Sequence, residues 1–286
     1  MTHEDAAEPS QSPMGLEFIE DFGAEPKPHG PFSWRVAAGL FAACVVGSFA
    51  MMPFTYSLML QMSFPGITFD KIPVLMAAGV VGDAIFGIGL SCLAIVLGLW
   101  LGGIMGIGVP MLNGWGADAD DRARATRSIL LGIVSGIVLG VMVIASARLM
   151  QGSAIGEGKG IVLPPPREGF LASIGAGIRE EVWLRLGLMT FLTWFGTAIL
   201  RRPSPGNGVI WSANFLATLA FAAMHVPQAI QLIGMSVPLM IFVFVGNGVP
   251  GLVFGWLYWK KGLIAAMVSH FFLDIVLKVI APLSGV

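Results

Sequence analysis

A polytopic helical membrane protein is the fold class that this sequence predicts. Of its 286 residues, 56% are hydrophobic and only 12% are charged, and the mean hydropathy is +0.82. Soluble domains carry about 25% charged residues. Apolar stretches that are long enough to cross a bilayer as helices recur along the chain, and no segments alternate in polarity as transmembrane β-strands do. We therefore predict an all-α bundle of about eight transmembrane spans.

Charge and cysteine content narrow the function classes. The net charge of −1 gives no electrostatic basis for binding nucleic acid, so we expect no such partner. Cys44 and Cys92 both lie inside apolar runs, where cysteine behaves as a small buried hydrophobe.

The N-terminus lacks a basic region followed directly by an apolar one. We therefore predict no cleavable signal peptide and expect the first span to direct membrane insertion.

Two regions differ in composition. Residues 1–32 are polar, acidic and rich in proline, which predicts a disordered tail. Residues 33–286 are predicted to form one transmembrane domain, with its polar motifs between residues 169 and 280.

The expected location is the plasma or inner membrane of a prokaryote, with membrane lipids as partners. Lys and Arg are spread too evenly over the loops to fix the orientation by the positive-inside rule.

Apolar runs mark the expected spans. In the first run, 34–61, Pro53 is expected to kink or end the helix. The second run, 72–108, is too long for one ordinary span, so we expect it to be tilted, broken or partly interfacial. The later runs cover residues 128–150, 169–200, 209–226, 229–245, 249–259 and 263–282.

The third and fifth runs contain further local signals. Gly132, Gly136 and Gly140 recur at a spacing of four in the third run. Small residues at this spacing are typical of membrane helices that pack closely, so we predict a packing face rather than a ligand site. Pro227 is expected to end the fifth run.

The fourth run contains a concentration of charge. Arg179, Glu180, Glu181 and Arg185 fall within seven residues of an otherwise apolar stretch. A charge at the bilayer centre costs about 2.5–3.5 kcal/mol on insertion scales, so such residues usually face a protein interior or a wet cavity and mark function. Asp83 is a further acid, in the second run. It either adds to the same cavity or caps a break in a glycine-rich helix, and we favour the structural role.

Helical spacing predicts how the acidic pair is arranged. Residues four apart share a helix face, so Glu181 is expected to pair with Arg185. Glu180 is rotated by about 100° from Glu181. One carboxylate is therefore expected to be held by the arginine while the other points elsewhere.

Two histidines lie inside later runs. His225 shares a helix face with Phe221, and His270 shares one with Asp274. A carboxylate one turn from an imidazole suits fixation of its tautomer. If the spans alternate in direction, the start of the fourth, the end of the fifth and the start of the eighth lie on one side of the membrane. Both histidines are then expected to meet Glu180 at similar depth.

These residues suit the activation of water for hydrolysis. Glu180 in a poorly solvated cavity can serve as a general base. His225 and His270 can hold a water molecule against it or stabilise the oxyanion of a tetrahedral intermediate. The same three side chains can also bind a divalent metal such as Zn²⁺ with an open position for water. The residues alone leave these two mechanisms open.

The pattern resembles the type II CAAX prenyl endopeptidase family, also called the CPBP or Abi family of intramembrane proteases. The resemblance covers about residues 169–280 and rests on three motifs in order. These are Glu180-Glu181-x-x-x-Arg185, Phe221-x-x-x-His225 and His270-x-x-x-Asp274. It implies an eight-helix fold that opens into the membrane and hydrolyses a peptide bond near the end of a membrane-anchored substrate, with prenylated CAAX proteins as the eukaryotic case.

The resemblance also implies roles for the site residues. Glu180 is the base that activates water, Glu181 and Arg185 support it, and His225 and His270 position the water and stabilise the oxyanion. The family commonly has Asn at the position of Asp274, so orientation of His270 suits this Asp better than an oxyanion role. Because the His-Glu-x-x-His zinc signature is absent from the sequence, we favour a glutamate mechanism that requires no cofactor, with a divalent metal as the alternative.

A non-enzymatic function is the alternative that the sequence leaves open. Intramembrane acids and histidines also serve proton relays, so the alternative is a non-enzymatic protein of the same fold, either a proton-coupled transporter or an immunity or partner-binding protein. No paired halves of the kind seen in transporters are evident in the sequence.

Overall fold

The fold is a bundle of long helices, and no strand occurs in the part of the chain that the structure describes. The structure, a computed structural model, describes residues 32–61, 72–114, 119–149 and 163–284. The predicted disordered tail lies outside these residues, except for Phe32. The helices are α1 Trp34–Met59, α2 Ile72–Met105, α3 Pro110–Gly114, α4 Ala119–Leu149, α5 Pro166–Glu181, π1 Val182–Met189, α6 Thr190–Ile199, α7 Asn207–Ile233, α8 Val237–Lys261, α9 Leu263–Ile275, π2 Val276–Ile280 and α10 Ala281–Leu283.

Seven helical stretches among the described residues are long and apolar enough to cross a membrane. The predicted polytopic helical bundle is therefore confirmed, and the chain is an integral multi-pass membrane protein. The count is one below the predicted number because the runs at 229–245 and 249–259 do not form separate spans. Helix α7 continues through Pro227 to Ile233, and α8 then runs unbroken to Lys261.

The continuity of α7 and α8 changes the span parity. The sequence predicts two spans between the helix of His225 and the helix of His270, but only α8 lies between them. The helix of His270 therefore starts on the opposite side of the membrane from the predicted one, so the argument from alternating spans is wrong. His270 reaches both glutamates nonetheless, because its side chain lies well inside a membrane-spanning helix rather than at its end. Glu180 falls near the middle of the continuous stretch Pro166–Ile199.

Glycines allow the closest helix contacts. A Cβ on Gly132 would lie 2.8 Å from the carbonyl oxygen of Ala265, and one on Gly140 would lie 2.7 Å from Cβ of Val276. The carbonyl oxygen of Ser269 would overlap a Cβ on Gly136. The predicted packing face of α4 is thus confirmed, and it fixes the position of α9, the helix that carries His270.

The central element of the bundle is the continuous helix formed by α5, π1 and α6. Helices α1 and α9 pack on α5, and helices α2, α7, α8 and α9 contact π1. Helix α2 is one unbroken helix from Ile72 to Met105, and it packs tightly on π1 because Gly98 lies directly against Leu186. The charged motif is therefore surrounded by protein on most sides.

Candidate active site

A π-helical segment begins directly after the paired glutamates. Residues Val182–Met189 form π1, and the polypeptide is α-helical on both sides of it. Such segments are rare and are frequently found at functional sites. Helical spacing in the sequence gives no sign of it. The expected pair of Glu181 and Arg185 is nevertheless present, with Oε2 and Nε 3.4 Å apart.

Glu181 is enclosed and paired on both sides. Its side chain is 0% exposed, and Oε1 lies 2.8 Å from Nδ1 of His270. Its other oxygen faces the guanidinium of Arg185. A buried carboxylate requires such partners because of the large desolvation cost of an isolated charge. Glu181 therefore links α5 to α9 through its hydrogen bond with His270, while its Oε2 makes an ion-pair contact with Arg185 and no hydrogen bond with the described residues.

Arg185 occupies a fully buried position among aromatic rings. Its Nη2 donates a hydrogen bond to the carbonyl oxygen of Gly251 at 2.9 Å. The guanidinium carbon lies 5.1 Å from the ring centroid of Phe221 and 5.6 Å from that of Phe254. This arrangement combines an ion pair, a hydrogen bond and two cation–π contacts, so one side chain connects π1 to α7 and α8.

Glu180 differs from its neighbour in having no strong partner. Its side chain is 14% exposed, and Oε2 lies 3.9 Å from Nε2 of His270, beyond hydrogen-bonding distance. Oε2 is buried and accepts no hydrogen bond from the described residues. No Lys or Arg of the described chain forms an ion pair with it. Glu180 is therefore the carboxylate with acceptor capacity to spare.

His270 lies between the two glutamates. A carboxylate can only accept, so Nδ1, which faces Glu181, carries a proton. Nε2 then faces Glu180. The imidazole stacks on the ring of Phe254 at a centroid distance of 4.9 Å and meets the edge of Phe221 at 5.6 Å. Its orientation is fixed by these contacts.

His225 reaches this group only indirectly. Its Nδ1 donates to the carbonyl oxygen of Phe221 at 2.8 Å, since a carbonyl can only accept. Its ring contacts the ring of Phe221, with centroids 4.9 Å apart. Phe221 in turn touches the ring of His270. Among the described residues, no hydrogen bond or ion pair joins His225 to Glu180.

Asp274 does not orient His270 as the sequence predicts. Its Oδ2 lies 2.5 Å from Nζ of Lys278, one helical turn further along. The imidazole nitrogen that Asp274 was expected to hold is bound by Glu181 instead, because the side chain of Asp274 is directed to Lys278. Lys278 is not among the predicted site residues, although a Lys four residues after an Asp within an apolar run is a detectable signal.

One comparison with known proteins finds a similar family for the segment that carries the motifs. Residues 164–276 match the family model described as type II CAAX prenyl endopeptidase Rce1-like. This segment is similar to the Rce1-like family. No curated protein and no solved structure matches the chain. The match confirms the resemblance seen in the sequence, and its residues include all three motifs. A CAAX-type protease is the class of enzyme to which the family points.

The Rce1-like segment also contains the three side chains predicted as a metal site. The set that the sequence offers is Glu180, His225 and His270. Ligands of one Zn²⁺ bind at about 2.0–2.2 Å from the ion, so they must converge on one point. In the described part of the chain, no group of three or more His, Cys, Asp or Glu side chains is arranged to hold a metal ion. As placed, Glu180, His225 and His270 do not converge on one metal ion as the predicted site requires.

Other residues that the sequence places within the spans have structural contacts. Nδ2 of Asn214 donates to the carbonyl oxygen of Leu252 at 3.0 Å, a hydrogen bond between α7 and α8. Trp183 is a buried packing residue, and its Nε1 donates to Ser91 at 2.8 Å. Asp83 caps no helix break, because α2 continues past it. It lies 3.8 Å from Arg179 instead.

Replacing Lys278 with Met is expected to lower the free energy of unfolding by about 2 kcal/mol, since it leaves Asp274 buried without a counter-charge. The double variant Asp274→Asn, Lys278→Met removes both charges and should recover at least half of that loss. Equilibrium unfolding in mixed detergent micelles measures both. Lys260→Met, which removes a lysine stacked on Trp259 at the end of α8, is the control. Equal losses in the single and double variants would contradict the pairing.

Proposed function

We propose that the protein is an intramembrane endopeptidase in which Glu180 activates water to hydrolyse a peptide bond of a membrane-anchored substrate. The proposed substrate class is prenylated CAAX protein or peptide. The family match supports the reaction class. The observation that carries the mechanism is the unpaired state of Glu180.

The acidic side chains in and around the motifs form three ion pairs with Lys or Arg, and one acid is left without such a partner. Glu181 pairs with Arg185, Asp274 with Lys278, and Asp83 with Arg179. Glu180 is left without a cation, at 3.9 Å from an imidazole nitrogen. A general base needs a free lone pair within reach of water, and a carboxylate already held by an arginine is poorly suited to this. Glu180 is therefore the better base of the adjacent pair.

The distance between Glu180 and His270 suits one bridging water. With Nδ1 protonated by its contact with Glu181, neutral His270 presents an acceptor at Nε2. Glu180 Oε2 is an acceptor too, so a water molecule between them would donate to both. Its oxygen lone pairs would then point away from both groups, toward a substrate carbonyl. A polar gap of this length is commonly water-mediated.

The hydrolytic step follows from this placement. The water oxygen forms a bond to the carbonyl carbon while Glu180 takes the water proton. The tetrahedral intermediate collapses as the C–N bond breaks, and Glu180 returns the proton to the leaving nitrogen, which departs as an amine. Arg185 holds Glu181, and Glu181 holds His270 in position throughout.

His225 serves the oxyanion in this proposal. Its Nδ1–H is engaged by the carbonyl oxygen of Phe221, which leaves Nε2 as the nitrogen that can face substrate. Nε2 donates a hydrogen bond only when the ring is an imidazolium. Stabilisation of an oxyanion by such a donor contributes about 2.7–4 kcal/mol in other hydrolases. Substrate must lie between His225 and Glu180 for this contact to form.

The proposal requires no metal or other cofactor, and chelation tests this directly. We expect purified protein in liposomes to cleave a fluorogenic prenylated CAAX peptide at the same rate with and without excess EDTA or 1,10-phenanthroline, because Glu180 itself takes the proton. Cleavage that is abolished by chelator and restored by Zn²⁺ would overturn the metal-free mechanism while keeping the protease. No cleavage by folded protein would favour a partner-binding or transport function for this fold.

A further inference from the structure

Asp83 is open to the molecular surface, unlike the other acids of the cluster. Its side chain is 57% exposed, whereas those of Glu180, Glu181 and Asp274 are at most 14% exposed. Gly82 beside it has no atom within 4 Å of the place where a Cβ would lie. Phe86, nearly one turn further along α2, is also exposed. A ligand can therefore approach this carboxylate from outside α2.

Arg179 fixes the place of Asp83. The guanidinium carbon lies 4.6 Å from the ring centroid of Trp183, and Nη1 lies 3.3 Å from Sδ of Met51. Gly87 provides the space, because the guanidinium would overlap a Cβ at that position. Arg179 is therefore locked among neighbours, and its charge holds Asp83 within 3.8 Å.

The contact with Arg179 leaves most of the hydrogen-bonding capacity of the Asp83 carboxylate unused. The distance of 3.8 Å is too long for a hydrogen bond, and Asp83 accepts none from the described residues. An ionised carboxylate has about four lone-pair sites. An exposed acid within a span is costly unless it meets water or a partner of opposite charge. If Asp83 served only to neutralise Arg179, a buried carboxylate with hydrogen bonds would do so better.

Asp83 is also linked to the proposed base through a single residue. It contacts Arg179, which directly precedes Glu180 in α5. Consecutive Cα atoms are about 3.8 Å apart, and an extended peptide advances about 3.3–3.6 Å per residue. A peptide whose scissile bond is at Glu180 can therefore place a side chain only a few residues away at Asp83.

We propose that Asp83 is a substrate subsite that binds a basic side chain, lysine or arginine, close to the scissile bond. The inference rests on the proposed function because it locates the subsite relative to Glu180. Arg179 acts as its positioning residue. The ligand chemistry follows from the group itself: an exposed carboxylate that only accepts hydrogen bonds, within a membrane-spanning helix, favours a cationic donor.

The test measures binding as well as cleavage. Fluorescent prenylated peptides carry Lys or norleucine at each of the positions flanking the scissile bond. Their Kd values are measured for Glu180→Gln protein in nanodiscs, with and without Asp83→Asn, and kcat/KM is measured for the wild type. At one position we expect lysine to improve affinity by about tenfold, and Asp83→Asn to reduce that advantage below about twofold. Asp83→Glu keeps the charge and should retain the preference, and Asp120→Asn is the control.

The outcomes separate this inference from the proposed function. Cleavage by the wild type with no preference for lysine at any position overturns the subsite and leaves the protease. A lysine preference in binding that depends on Asp83, without any cleavage, supports the subsite and overturns the protease. A preference that persists in Asp83→Asn, with a melting temperature like that of the wild type, overturns the subsite. No binding of any peptide overturns it too.

Discussion

Replacing Glu180 with Gln is expected to reduce kcat/KM for a prenylated CAAX peptide by about 10³-fold, within the range of 10²–10⁴ found for general base catalysis. Glutamine keeps the shape of the side chain but cannot take a proton from water. Because Glu180 forms no ion pair with a Lys or Arg of the described chain, the substitution should leave the melting temperature in detergent nearly unchanged. The loss should appear in kcat rather than in KM, because the missing group acts on the reacting atoms.

Two matched variants decide how this loss is interpreted. Glu168→Gln lies on the same helix, where Glu168 accepts a hydrogen bond from Ser57 at 2.7 Å. An amide oxygen can still accept that bond, so activity should stay within about twofold of the wild type. Glu181→Gln should lower stability as well as activity, because Glu181 holds both His270 and Arg185. Full activity in Glu180→Gln with none in a folded Glu181→Gln would assign the base to Glu181.

The sequence was sufficient to predict the parts of the site that depend on local spacing. The pair of Glu181 and Arg185 follows from their separation of four residues, and the packing face of α4 follows from its glycines. Both are confirmed in the structure. The rotation of Glu180 away from Glu181 is equally local. These features require only helical periodicity, which the amino-acid pattern contains.

The partners of His270 and His225 could not be predicted in the same way. The sequence offered Asp274 as the nearest carboxylate to His270, but Glu181 occupies that nitrogen from a helix 89 residues away in the chain. Such a contact depends on how α5 packs against α9, and the spacing within α9 does not encode it. The π-helical segment that follows Glu181 likewise has no signal in the helical spacing of the sequence.

Helix boundaries at proline were the other source of error. Proline removes one backbone donor and usually ends or kinks a helix, yet α7 continues for six residues after Pro227. Within a membrane a broken helix exposes unpaired backbone groups to lipid, so the penalty for ending the helix there exceeds the penalty for one missing hydrogen bond. The same argument explains why α8 continues through Pro250.

Replacing Arg185 with Met is expected to have the largest effect on stability, about 3–5 kcal/mol in the free energy of unfolding. Arg185 and Glu181 are both 0% exposed, so the substitution leaves a buried carboxylate with His270 as its remaining close partner. It also removes the hydrogen bond to the carbonyl oxygen of Gly251 and the contacts with two aromatic rings. Equilibrium unfolding in mixed detergent micelles measures the loss.

Three comparisons separate the ion pair from the packing of the long side chain. Arg185→Lys keeps the charge but lacks the planar fork that reaches Glu181 and Gly251 together, so its loss should be intermediate. The double variant Glu181→Gln, Arg185→Met removes both charges and should be more stable than Arg185→Met alone. Arg167→Met, at a side chain that is 84% exposed, should change stability by less than about 0.5 kcal/mol. If the double variant is no more stable than Arg185→Met, packing rather than the buried charge pair explains why Arg185 is required.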